Sequence, residues 1–239
     1  GNEIQRYLER GRGIPIKSFP ALSQTYVKRI KELKPDYIFV LDKNSIEPEF
    51  IKEVDEMNIP LVVIDHHNVP KIEIENYYNP FYVDGKTEPV SYLAYKIAQK
   101  KSDLWLAVIG CISDGFIPEF FDEFKKGYID LLEIKIEEDR VYDSRLAFDI
   151  LYNTQIGKII QILNYGLLDR TTNVVKMLRY LMKAKTPHDI IHEGSKTKTF
   201  LARFAEISAR VKTIVEKAED KLAENNESKL LVFTYGGDM

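Results

Sequence analysis

Cysteine and long apolar stretches are the scarcest features of this 239-residue chain. Cys111 is the single cysteine, which excludes an intrachain disulfide and fits a reducing cytoplasm. It lies within an apolar run, so we expect a buried structural thiol. No stretch approaches the ~20 apolar residues that a membrane-spanning helix needs, and no signal peptide opens the sequence. We therefore expect a cytoplasmic protein with no membrane partner.

Neither sign of charge is in large excess. Lysine and arginine total 34 against 37 acidic residues, which gives a net charge of −3. This balance excludes a generally basic surface, so any binding of nucleic acid would need a local patch. The hydrophobic fraction of 44% and the charged fraction of 30% are typical of a globular protein with one large or two small domains.

Only four histidines are present, and two of them are adjacent directly after an apolar run. Pro60 is followed by Leu61–Ile64, a β-branched run that predicts a buried parallel strand, and then by Asp65, His66 and His67. In an open α/β sheet, ligands bind at the carboxyl ends of the strands. We therefore expect these three polar residues to lie in that crevice.

Two further apolar runs also end near a carboxylate. One is the predicted strand that ends at Asp42, and the other is Leu104–Ile112, which is followed by Asp114. Periodicity alone does not decide between helix and strand for Leu104–Ile112. Carboxylate and imidazole ligands suit Mn²⁺, Mg²⁺ or Zn²⁺, and metals held by clustered carboxylates support phosphoryl chemistry. We predict that Asp42, Asp65, His66 and Asp114 share one rim.

These three motifs, in this order, resemble those of the DHH phosphoesterase superfamily. They are most similar to the archaeal branch related to the single-strand exonuclease RecJ. The resemblance implies that Asp42, His66 and Asp114 bind metal, with two Mn²⁺ or Mg²⁺ ions in the complete site. It further implies that His67 faces the substrate phosphate and that Asp65 orients a histidine. Asn79-Pro80 also resembles the Asn-Pro that follows the histidine pair in that branch.

The resemblance implies a metal-dependent phosphodiesterase that hydrolyses single-stranded DNA or RNA as an exonuclease. Two alternatives stay open: a catalytically silent scaffold with a protein partner in a replication or repair complex, and a phosphatase of small substrates such as short oligonucleotides or cyclic dinucleotides. The first motif of the family, an Asp-x-Asp, is missing from this sequence. We expect it on an apolar strand just upstream of Gly1, and its absence there would favour the scaffold.

The sequence predicts an α/β fold organised in three parts. Residues 1–140 form the catalytic core, a parallel sheet with flanking helices, and residues 141–224 form a helical extension. Residues 225–239 begin a DHHA1-like domain, which in the family helps to bind the nucleic acid. By resemblance, Leu104–Ile112 is a helix and Asn68–Gly85 is rich in loops. The other predicted strands are Ile14–Phe19, Asp36–Asp42, Ile59–Ile64 and Leu230–Tyr235, and the other predicted helices of the core are Asn2–Gly11, Ser23–Leu33, Pro48–Met57 and Val90–Gln99.

Two features of the helical extension favour ordinary structural roles. His188 and His192 have the i, i+4 spacing of one helix face but have no acid of the first cluster near them in sequence. The basic stretch from Lys196 to Lys212 is interleaved with Phe200 and Phe204. It predicts a charged outer face over an apolar inner face, with a groove for a single strand as the less favoured alternative.

Overall fold

The computed structural model describes residues 2–17, 19–133, 141–224 and 232 of the chain. It divides into two compact units, Gly1–Ile156 and Gly157–Met239. The first unit combines a small parallel sheet with helices, and the second is helical where it is described. The predicted α/β class with a parallel sheet is confirmed.

Three short parallel strands form the sheet, in the order β1 (Ile38–Leu41), β2 (Leu61–Ile64) and β3 (Asn76–Tyr78). Leu41 pairs with Ile64, so β1 and β2 end side by side. The connection between them contains α3 (Pro48–Glu56), which begins with a proline at its first position, where no intrahelical N–H is needed. This βα arrangement brings the residues that follow β1 and β2 to one edge of the sheet.

One face of the sheet is packed against α2 (Val27–Leu33) and α3. Val40 and Val63 are partners in the register and point to this same face, where both are buried. The burial of each such side chain contributes roughly 1.5–3 kcal/mol, so this layer anchors the strand ends. The full set of buried residues in this cluster is Leu22, Val27, Ile30, Val40, Phe50, Val54 and Val63.

Helix α6 (Leu104–Ser113) is buried on nearly all sides, and the helices directly before and after it in the chain pack against it. This burial explains why its sequence has no helical period, since a helix without an exposed face needs no polar stripe. The helix predicted by resemblance is therefore confirmed, and Cys111 is buried within it as expected. Gly110 allows close packing, because a Cβ there would lie 2.5 Å from the Ser91 side chain. The other helices are α1 (Asn2–Leu8), α4 (Phe81–Asp84), α5 (Val90–Ala98), α7 (Phe121–Gly127) and α8 (Ser144–Asn153).

Helices also make up the rest of the described chain, as the sequence pattern predicts. They are α9 (Gln155–Leu167), α10 (Thr171–Leu181), α11 (His188–Ile191) and the long α12 (Lys198–Glu224). Within the described ranges, no helix combines the length and the apolar character needed to cross a membrane.

Several predicted boundaries are wrong. No strand forms in the described part of Ile14–Phe19, and Leu22 instead makes an isolated parallel bridge to Ile46. Pro15 and Pro20 explain this difference, because proline lacks the N–H that a sheet ladder needs. The first helix ends at Leu8 and not at Gly11.

Two further differences concern short elements. The helix predicted from Ser23 begins as a 3-10 turn at Gln24–Tyr26, and Ser23 makes no side-chain cap. The predicted loop Asn68–Gly85 contains β3 and α4. The predicted strand Leu230–Tyr235 and the predicted domain start at 225–239 lie outside the described residues, apart from Val232.

Candidate metal site

The candidate site begins where β1 and β2 end. The backbone N–H of Asp42 donates to the Ile64 carbonyl oxygen at 2.9 Å, so Asp42 extends the pairing of the two strands by one residue. Its φ of +58° lies in the left-handed region, which aspartate enters more readily than most residues. The chain therefore turns sharply at Asp42, next to the Asp-His-His that follows β2.

Three side chains gather at this edge. One ligand atom from each of Asp42, His66 and His67 lies within 4.8 Å of the other two. Asp42 Oδ1 is 3.3 Å from His66 Nε2 and 4.0 Å from His67 Nδ1. One carboxylate and two imidazoles in this space suit a single transition-metal ion such as Mn²⁺ or Zn²⁺ better than Mg²⁺, which prefers oxygen ligands. These three residues could therefore hold a metal ion, and its identity stays a prediction.

Neighbouring groups hold both imidazole rings. His66 Nδ1 lies 3.4 Å from the Thr87 carbonyl oxygen, which can only accept, so a proton on Nδ1 leaves Nε2 directed at Asp42. His67 Nδ1–H donates to Asp65 Oδ1 at 2.6 Å, and Asp65 is fully buried. Asp65 therefore lies behind the cluster and contacts a histidine ring, which agrees with the orienting role that the resemblance implies.

Asp42 and His66 stabilise each other's charged forms. The hydrogen bond with His66 lowers the pKa of Asp42 below its ordinary value. The same hydrogen bond raises the pKa of His66 above its ordinary value, against the opposing effect of burial. A metal ion at Nε2 would have to displace this proton, so metal affinity should fall as the pH is lowered.

Asp114 follows α6 and does not end a strand. Burial raises its pKa to about 6, and the negative charge of Asp42 adds to this rise while His66 and His67 oppose it. Asp114 is therefore electrostatically coupled to all three cluster residues, although it is outside the group of ligand atoms within 4.8 Å. The role of Asp114 as a metal ligand stays a prediction. The third residue of the described cluster is His67.

Sequence reasoning assigned no role to two groups that support the site. The Thr87 carbonyl faces His66, and no sequence signal could have found it because any residue supplies a backbone carbonyl. The Asn79 side chain donates to the His67 carbonyl oxygen at 3.0 Å. The resemblance singled out Asn79-Pro80 in the sequence without indicating this contact.

Comparisons with known proteins found no matching family, no matching curated protein and no matching solved structure. The fold and the side-chain geometry define the chain as an α/β protein with a candidate aspartate–histidine metal site at the carboxyl ends of parallel strands.

Proposed function

We propose that this chain is a metal-dependent phosphodiesterase that hydrolyses single-stranded nucleic acid. The observation that carries the proposal is the cluster of Asp42, His66 and His67 at the carboxyl ends of two neighbouring parallel strands. Ligands bind at this edge in α/β sheets, and Asp42 with His66 offers a carboxylate and an imidazole to a metal of the Mn²⁺ class, while His67 is left to face the substrate. The described cluster offers ligands for one ion, and the motif resemblance implies a second ion.

Each residue has a separate task in this proposal. Asp42 and His66 would hold the ion, and the carboxylate of Asp114 would balance part of its charge. When bound, the ion supplies Lewis acidity that activates water and polarises a phosphoryl oxygen. His67 would face the substrate phosphate with Nε2, because its Nδ1–H is engaged by Asp65, and it would donate to a phosphate oxygen when Nε2 also carries a proton. Asp65 keeps that ring in one orientation.

The substrate class is supported by the resemblance and by one exposed aromatic residue whose backbone contacts the site. The Tyr78 carbonyl oxygen accepts from the Asp65 N–H at 3.0 Å, and Tyr78 is 57% exposed. Exposed aromatic rings stack on the bases of single strands without strict sequence preference. Tyr78 therefore offers a platform for a nucleotide whose phosphate reaches His67.

The variant His66→Ala tests the proposal. We expect at least a 100-fold loss of Mn²⁺-dependent hydrolysis of a single-stranded oligonucleotide, because the ligand paired with Asp42 is removed. Mn²⁺ affinity, measured by electron paramagnetic resonance, should fall in parallel. The melting temperature should change little, since His66 lies at the sheet edge and outside the main core cluster.

His192→Ala is the matched control, because it makes the same substitution at an exposed histidine beyond the cluster. It should retain both activity and Mn²⁺ affinity. If His66→Ala also retains both, His66 is not a required ligand. A wild-type chain that binds no Mn²⁺ would instead favour the catalytically silent scaffold.

A further inference from the structure

Asn79 is a buried amide whose contacts converge on the backbone of the candidate site. The residue is only 5% exposed. Nδ2 donates to the His67 carbonyl oxygen at 3.0 Å and to Tyr77 Oη at 3.1 Å, while Oδ1 accepts from the Phe81 N–H at 3.0 Å. The amide therefore connects the end of β3 and the start of α4 to the turn that carries His67.

The same turn is held at two other points. The His67 carbonyl oxygen also accepts from the Val69 N–H at 3.1 Å, and Asp65 Oδ1 accepts from His67 Nδ1–H at 2.6 Å. Asp65 restrains the ring, and Asn79 restrains the peptide unit to which that ring is attached. A ring hydrogen bond orients an imidazole only if the backbone beneath it is also held, because rotation of the peptide moves the whole side chain.

We propose that Asn79 is a positioning residue for His67, and this proposal rests on the proposed function of the site. The amide keeps the peptide after His67 in the orientation that allows the Nδ1–H to reach Asp65. Nε2 is then presented to the substrate phosphate. Without this restraint, the turn gains freedom, the Asp65 contact is broken part of the time and His67 leaves its working position.

Two variants separate this role from a general contribution to stability. Asn79→Asp has nearly the same shape and keeps an acceptor for the Phe81 N–H, and the Tyr77 hydroxyl can turn to donate to the new carboxylate. It replaces the donor to His67 by a carboxylate oxygen, because an ionised carboxylate has no N–H or O–H, and it also adds a buried charge. Tyr77→Phe is the matched control: it removes the other acceptor of the same amide and leaves the His67 contact in place.

The first measurement is the proton NMR signal of His67 Nδ1–H in metal-free protein. A hydrogen-bonded imidazole proton resonates far downfield and is visible only while it is protected from exchange with water. We expect this signal in the wild type and in Tyr77→Phe, and we expect its loss in Asn79→Asp. This measurement needs no activity, so it tests the positioning role even if the chain is not a phosphodiesterase.

The second measurement is kcat at saturating Mn²⁺. We expect about a tenfold or greater fall for Asn79→Asp and less than a twofold change for Tyr77→Phe, since partners behind an active-site residue typically contribute this much. Equal effects of the two variants on signal and rate would overturn the proposal. So would a His67 signal that persists in Asn79→Asp.

Asn79→Ser keeps the test decisive if Asn79→Asp does not fold. It removes the amide without adding a buried charge, and it should lose the His67 signal in the same way. A folded Asn79→Ser protein that retains the signal would overturn the proposal. If the wild type shows the signal, Asn79→Ser loses it and no hydrolysis occurs, the proposed function is rejected while the restraint by Asn79 is retained.

Discussion

Asp42, the acid at the end of β1, differs sharply from a second group of acids around α1 and the start of α6. Asp42 has a side chain that is 54% exposed, and it faces His66. Asp103 is almost fully buried and forms an ion pair with Arg6 at 2.7 Å. Glu3 is 5% exposed, and its Oε1 has no hydrogen-bond partner within the part of the chain that the structure describes.

The ionisation of Asp42 differs from that of Glu3 in the same way. The hydrogen bond from His66 lowers the pKa of Asp42, so its carboxylate is charged at neutral pH. Burial raises the pKa of Glu3 to about 8, and the charge of Asp103 adds to the rise while Arg6 opposes it. Exposure and partners, and not the residue type, therefore decide which acid can serve as a ligand. Asp114 lies between these extremes, with a pKa of about 6.

Arg6→Ala should have the largest effect on stability. It leaves the buried Asp103 carboxylate without its ion-pair partner, which typically costs about 3–5 kcal/mol in the free energy of unfolding. Urea denaturation measures this loss. Lys52→Ala breaks the exposed Lys52–Glu56 pair and should cost less than about 1 kcal/mol. Equal losses in the two variants, or a loss of Mn²⁺ affinity in folded Arg6→Ala, would break the distinction between the two groups of acids.

Glu3→Gln should change how stability depends on pH. In the folded protein Glu3 keeps its proton up to a pKa of about 8, whereas the unfolded chain releases it near the ordinary value of 4.5. The folded state then binds more protons between these values, so the free energy of unfolding falls as the pH rises through this window, by up to about 1.4 kcal/mol per pH unit.

Glutamine stays neutral, so denaturation of Glu3→Gln between pH 5 and pH 8 should show a flatter profile than that of the wild type. Thr25→Ala, an exposed substitution that removes no titrating group, is the control and should keep the wild-type slope. Parallel profiles for Glu3→Gln and the wild type would contradict the high pKa of Glu3.

Asp114→Asn should have the smallest effect on stability of these substitutions. It also tests most directly whether Asp114 belongs with Asp42 at the metal site. Loss of a charge near the cation should weaken Mn²⁺ binding about tenfold, which is the lower end of the effect of supporting residues at metal sites. Stability near pH 7 should not fall, because the substitution also removes a partly desolvated acid. Titration with Mn²⁺ measures the affinity, and an unchanged value would exclude Asp114 from the site.

The parts of the fold that sequence reasoning located well have strong local signals. Continuous β-branched residues predicted β2, and Pro48 with the apolar spacing after it predicted α3. β3 was missed because Asn76–Tyr78 is too short and too polar to be distinguished from a loop. Its strand geometry depends on pairing with β2, from Val62 to Ile64. Ile14–Phe19 shows the opposite error, since local apolar character predicted a strand for which no ladder partner exists in the described chain.

Some features of the candidate site could likewise be predicted from neighbouring residues in the sequence, whereas others depend on segments that are distant in the sequence. The sequence by itself determined that an acid and two histidines follow β2 and that another acid follows β1, because these residues are neighbours of strongly predicted strands. The sequence also indicated Asp114, because the apolar run before it could be recognised even though periodicity did not decide whether that run is a helix or a strand.

Only the tertiary structure decided which of these groups meet. It placed His67 within the cluster beside Asp42 and His66, kept Asp114 outside the 4.8 Å group, and placed the Asn79 amide against the His67 carbonyl. It also buried Glu3, which no local pattern distinguishes from an exposed acid of a first helical turn. Distances and burial arise from the packing of segments that are far apart in sequence, and they control ligand geometry and pKa.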